Sequence, residues 1–117
     1  MDNTAVISIG SNIDAASNIS RMLQILEADL RIIRLSEFRQ TSPVGITNQP
    51  NFTNGAVKVE TAMKLEVLKH FLKSVEDQLG RDRTQARFGP RTMDLDIIVW
   101  NGKIIDDDYY SRDFVRQ

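Results

Sequence analysis

The period of the apolar residues switches between two and about 3.6 along this chain, and the order of the switches constrains the fold more than any other feature. Residues 4–9 form a short run rich in β-branched side chains that closes on Gly10-Ser11-Asn12, which predicts a strand. Residues 15–30 carry Ile19, Met22, Leu23, Leu26 and Leu30 at the spacing of a half-buried helix, with Asn12 or Asp14 as its cap. Residues 31–40 lose that stripe and bring in Ile32 and Ile33, which predicts a second strand. Two prolines, a glycine and two asparagines mark 41–51 as a loop, and 52–61 reads as a third strand. A second helix over 64–79 buries Leu68, Phe71, Leu72, Val75 and Leu79, and Gly80 ends it. A glycine- and arginine-rich loop covers 80–91. Residues 94–100 are a fourth strand, and Asn101-Gly102 is a hairpin turn into Lys103-Ile104-Ile105. The tail from 106 has no clear period.

The order is β-α-β-β-α-β, an α+β class with the ferredoxin-like pattern: two helices on one face of an antiparallel sheet. At 117 residues and 41% hydrophobic content, one domain over 1–117 buries roughly 65% of the unfolded surface, enough for one core. The period of two then divides the strands. Ile7, Ile9, Val57, Val59, Leu95, Ile97 and Val99 go to the helices, and Ser8, Gly10, Phe52, Asn54, Asp94 and Asp96 to the other face. That second face is too polar for a core, and it is where a site is expected.

Several chemistries are excluded at once. Without cysteine, thiolate zinc sites and a cysteine nucleophile are excluded, and the lone histidine argues against a histidine metal cluster or a serine–histidine triad. His70 falls opposite the apolar stripe of its helix, as a solvated surface residue does. Fifteen basic against sixteen acidic residues give a net charge of −1, which does not fit a globally basic nucleic-acid binder. No apolar run approaches the ~20 residues of a membrane helix. Met1-Asp2-Asn3 leads straight into a strand, so a cytoplasmic location without a signal peptide is expected. Carboxylates, arginines and bound ions remain to carry chemistry.

Asp94 and Asp96 lie two apart on a strand, so their carboxylates share a face about 7 Å apart. Unpaired, they repel by roughly 2 kcal/mol at an effective dielectric of 20. Two neutralising partners fit: magnesium, completed by water and phosphate oxygens, or nearby arginines in a structural ion network. Arg81, Arg83, Arg87 and Arg91 directly precede the pair. Their guanidinium groups suit either bidentate phosphate binding or a solvated basic loop. Together the two elements supply metal holders and anion clamps for phosphoryl transfer. Phe52 and Asn54 share the open face, where a ring and an amide can hold a heterocycle; a core ring beside a turn-forming asparagine is the alternative. No Walker-type phosphate loop is present.

The segment RFGPRTMDLDII, from Arg87 to Ile98, resembles the signature of the 6-hydroxymethyl-7,8-dihydropterin pyrophosphokinases of folate synthesis. The first strand into Gly10-Ser11-Asn12, the stretch TSPVGITNQPNFTNGAV from Thr41, and Glu76 through Arg83 are similar to the same family. The resemblance implies transfer of a pyrophosphoryl group from ATP to the pterin's hydroxymethyl oxygen, with AMP released and two Mg2+ ions bound. It implies Asp94 and Asp96 as metal ligands, with Asp96 also helping to deprotonate the hydroxyl. Arg81, Arg83, Arg87 and Arg91 match positions in or beside a mobile loop over the triphosphate. Glu76 and Ile97 match nucleotide contacts. Thr41, Ser42 and Val44 match the loop whose backbone reads the pterin edge, and Phe52 and Asn54 match its stacking ring and amide.

The chain also departs from that family. Members usually run on through a Pro-His pair whose histidine contacts the triphosphate, and no such histidine occurs here. Arg112-Asp113-Phe114 matches an arginine–any–phenylalanine element, implying Phe114 as the second ring around the pterin and Arg112 as a phosphate contact. Phe88 stands where many members have tryptophan. The resemblance therefore supports an enzyme, or alternatively a pterin- or nucleotide-binding module with weakened catalysis. An RNA-binding domain of the same element order needs several stacked aromatics and a positive sheet face, which Asp94 and Asp96 oppose. The expected partners are small molecules, with neither nucleic acid nor membrane. Oligomeric state is left open, although Ile104 and Ile105 would suit an edge contact.

Overall fold

The computed structural model describes residues 2–43, 48–81 and 90–105. Their elements run β1 (Asn3–Ser11), α1 (Ala15–Asp29), β2 (Arg31–Leu35), β3 (Arg39–Thr41), β4 (Phe52–Thr61), α2 (Leu65–Gln78), β5 (Asp94–Trp100) and β6 (Lys103–Ile104). The strands form one antiparallel sheet in the order β2-β4-β1-β5-β6, with β3 also beside β4. This is an α+β fold, and the third and fourth strands expected from sequence run as read.

Strand β1 is central, flanked by β4 and β5, so its backbone polar groups are paired on both edges. Ile7 sits opposite both Val57 and Ile97, and Ile9 opposite Gly55 and Leu95. These strand residues join Ile19, Met22 and Leu26 of α1 and Leu68, Leu72 and Val75 of α2 in one buried cluster. The helix stripes read from sequence are thus buried, with Leu23 and Phe71 at the margin and His70 exposed. Truncating a side chain such as Leu72, 2% exposed, to alanine costs about 2–5 kcal/mol through lost transfer energy and a residual cavity.

Three local expectations are corrected. Residues 31–40 are two strands, not one. The backbone N–H of Ser36 donates to the Ala56 carbonyl at 2.9 Å, while Ser36 Oγ accepts the Ala56 N–H at 2.8 Å. A hydroxyl thus replaces a ladder carbonyl, and regular pairing stops between Leu35 and Arg39. Phe38, in this break, covers Gly55: a Cβ there would lie 2.7 Å from the ring. Second, the β1–β5 register shifts between Val6 and Ile7, leaving Ile98 without an opposite residue. That β-bulge inverts the alternation, so Val99 is not in the core cluster, and Trp100 packs against it opposite Ala5.

Third, neither Asn12 nor Asp14 caps α1 through its side chain. Asp14 occupies the cap position at φ 44° and makes no capping hydrogen bond. Asn18 Nδ2 instead donates to the Ile13 carbonyl at 2.7 Å. The hairpin turn is as expected: Asn101 and Gly102 have φ of 49° and 83°, the two positive values a tight primed turn requires.

Candidate active site

Gly10 lies where β4, β1 and β5 bring the candidate residues together. Its register partners are Asn54 on one side and Asp94 on the other. A Cβ on Gly10 would sit 3.1 Å from Asn54 Oδ1 and 4.0 Å from both Asp94 Cβ and Phe52 Cδ1. An amide, a ring and a carboxylate therefore converge over a residue with no side chain. Asn54 is buried and oriented by a hydrogen bond from Nδ2 to Thr41 Oγ1, and Thr41 is paired with Phe52 in the β3–β4 ladder. Thr41, Phe52 and Asn54 are thus brought together as the sequence suggested. Ser42 follows them, exposed, just past the end of β3.

Asp94 and Asp96 pair with Gly10 and Ser8, alternate positions of β1, and so share a side of the sheet. Glycine at position 80, with φ 83°, closes α2. Its N–H donates to the Asp77 carbonyl at 3.0 Å and that of Arg81 to the Glu76 carbonyl at 3.1 Å, the paired bonds of a Schellman motif. The reversal returns the Arg81 side chain toward β5. Arg81 Nη1 lies 3.2 Å from Glu76 Oε2, 3.4 Å from Asp94 Oδ1 and 3.1 Å from the Met93 carbonyl. Glu76, only 4% exposed, also accepts the Leu95 N–H at 2.7 Å. Of the two neutralising partners considered for Asp94, an arginine is present. With 43% of its side chain exposed, Asp94 still offers carboxylate surface to a cation.

Among the described residues no group of three or more His, Cys, Asp or Glu could hold a metal. A cation here would rest on Asp94 and Asp96 alone, and two hard carboxylate ligands fit magnesium when water and phosphate oxygens complete its shell.

Sequence reading missed the part played by Ser11 and Asn12. Ser11 Oγ donates to the Thr92 carbonyl at 2.7 Å. Asn12 Oδ1 accepts the Arg91 N–H at 2.8 Å, and its Nδ2 donates to Gln49 Oε1 at 2.7 Å and to the Pro50 carbonyl at 3.0 Å. A Gly-Ser-Asn at a strand end reads as a turn or cap, and no local signal separates that from a bridge to distant loops. The Ile97 side chain lies in the core opposite Ile7, not beside the aspartates. Val44, Arg83, Arg87, Phe88, Arg112 and Phe114 lie outside the described residues.

The family model described as 7,8-dihydro-6-hydroxymethylpterin-pyrophosphokinase matches residues 6–117. The chain is 36% identical over 109 residues to the 2-amino-4-hydroxy-6-hydroxymethyldihydropteridine pyrophosphokinase of Bacillus subtilis, covering 91% of this chain and 65% of that protein. It is 30% identical over 123 residues to the protein of the same name from Haemophilus influenzae, covering 96% of this chain and 76% of that one. A folate synthesis bifunctional protein of Arabidopsis thaliana is 36% identical over 105 residues, 87% of this chain and 22% of its own length. The chain thus spans just under two-thirds of the Bacillus relative and about a fifth of the plant one.

Proposed function

The chain belongs to the 7,8-dihydro-6-hydroxymethylpterin-pyrophosphokinase family, and from that premise we propose that it transfers a pyrophosphoryl group from ATP to 6-hydroxymethyl-7,8-dihydropterin. The hydroxymethyl oxygen bonds to the β-phosphorus, the bond from that phosphorus to the α–β bridging oxygen breaks, and AMP leaves. The observation that carries this reading is the convergence of Phe52, Asn54 and Asp94 over Gly10. It sets a heterocycle-binding ring and amide directly beside a carboxylate pair suited to a metal-bound phosphate chain.

Each residue then has a role. Phe52 stacks on the pterin and Phe114 supplies the opposite ring, while Asn54, held by Thr41, pairs with the heterocycle's donor–acceptor edge. The backbone of Thr41, Ser42 and Val44 reads the same edge. Asp94 and Asp96 would hold two magnesium ions, which when bound neutralise the phosphate chain and ease charge build-up on the leaving oxygen. Asp96 takes the hydroxyl proton. Arg81, Arg83, Arg87, Arg91 and Arg112 clamp phosphate oxygens; on the nucleotide side Glu76 acts by holding Arg81 and the Leu95 N–H, and Ile97, its side chain in the core, through its backbone. In such a reaction the protein supplies position and charge, not covalent chemistry.

The same proposal includes a ferredoxin-like arrangement, with α1 and α2 on one face and the site on the other. Support comes from the strand order once β2 and β3 are counted as one interrupted strand, and from alternate residues of β1 joining the helical core. A cytoplasmic setting is part of the same reading, and a cysteine-free sequence suits it. The test is AMP release from ATP. We expect release that requires both 6-hydroxymethyl-7,8-dihydropterin and magnesium; ATP turnover indifferent to the pterin, or none, overturns the proposal.

A further inference from the structure

Asn12 follows the last residue of β1 and is 5% exposed, yet its whole side chain is spent on two other segments. Oδ1 accepts the N–H of Arg91, and Nδ2 donates to Gln49 Oε1 and to the Pro50 carbonyl. Backbone bonds reinforce one side: the N–H groups of Asn12 and Ile13 both donate to the Arg91 carbonyl, at 3.0 and 3.2 Å. A side-chain amide has two N–H donors and one carbonyl, and here each is engaged. Neither partner segment belongs to a strand or helix, so no ladder fixes either of them. Each leads directly into one half of the site. Pro50 is two residues before Phe52, and Arg91 is three before Asp94.

We infer that Asn12 is a positioning residue that sets the heterocycle-binding end of the site against its phosphate end, without touching either substrate. The inference rests on the pterin and ATP reading of the site. Hydrogen-bond chemistry separates the two attachments. Aspartate at this position keeps an acceptor for the Arg91 N–H but turns the double donor into an acceptor facing Gln49 and Pro50. The Pro50 carbonyl can only accept, so its contact with the new carboxylate becomes repulsive. Asn12→Asp therefore loosens residues 49–50 selectively, whereas Asn12→Ala loosens both segments.

The experiment is steady-state kinetics of AMP release with each substrate varied in turn. For Asn12→Asp we expect KM for the pterin to rise about tenfold while KM for ATP stays within about threefold; for Asn12→Ala both rise. A merely structural role would lower the active fraction, and so kcat, without separating the two KM values. Gln49→Ala, at a half-buried loop position, is the second variant and should raise only the pterin KM, by about threefold. An active wild type whose Asn12→Asp and Gln49→Ala variants leave the two KM values unseparated overturns the role of Asn12. Should Asn12→Asp fail to fold, Gln49→Ala decides alone. A wild type that releases no AMP overturns the pterin and ATP reading and this inference with it.

Discussion

The carboxylate of Glu76 accepts the backbone N–H of Leu95 at 2.7 Å, at the one residue that separates Asp94 from Asp96. A buried acid on α2 thereby holds the strand segment carrying the carboxylate pair, and Arg81 balances it from 3.2 Å away. The Glu76 and Arg81 side chains are 5% and 14% exposed, so solvent screens the pair little.

Removing one partner of such a pair leaves the other charge buried. Glu76→Ala should lower stability by about 1–3 kcal/mol, since the buried Leu95 N–H loses its acceptor while Arg81 keeps only Asp94 and the Met93 carbonyl. Glu76→Gln keeps a carbonyl for Leu95 and should lose less. Urea unfolding of the three proteins side by side checks the order.

Asp96→Ala removes one of the two candidate metal ligands and the proposed base. Turnover should fall by several orders of magnitude while pterin affinity stays within roughly tenfold, a difference of ~1.4 kcal/mol. Single-turnover AMP release and a pterin titration measure the two quantities, and equal rates in mutant and wild type would place the chemistry elsewhere. Chelating magnesium should stop AMP release by the wild type without altering its circular dichroism.

Gly10→Ala tests the convergence on β1. The backbone there is not in the left-handed region, so the fold tolerates a side chain conformationally. The new methyl would nevertheless sit 3.1 Å from Asn54 Oδ1, and the amide must shift. Pterin affinity should drop by about tenfold, and a fluorescence titration reads it directly. An unchanged affinity means that Asn54 does not bind the pterin.

Gly55→Ala is the matching control, because its Cβ would meet the Phe38 ring at 2.7 Å, with Phe38 packed at the edge of the core. This overpacking should cost about 1–3 kcal/mol in thermal or urea unfolding. At temperatures where the protein is folded, kcat and both KM values should match wild type.

Which residues share a face with the candidate site was legible because period two is a local property. Asp94 and Asp96 share a side whatever β5 pairs with, and the runs 52–61 and 94–100 announce themselves by composition, so the strands holding Phe52, Asn54 and both aspartates could be read directly. Gly80, too, marks the end of α2 by its own conformational freedom. Other features depend on partners remote in sequence. The bulge at Ile98 moves Val99 off the core because β1 sets the register, and Ser36 interrupts residues 31–40 by bonding Ala56, twenty positions away. Glu76 belongs to an apolar stripe where a carboxylate looks misplaced until Leu95 and Arg81 arrive beside it. Asn12 reads as a cap until residues 49–50 and 91 close around it. Side-chain type and spacing determined which faces and charges this chain can present. Which of them meet was decided by hydrogen bonds between distant segments, whose energy exists only once the sheet has brought their donors and acceptors together.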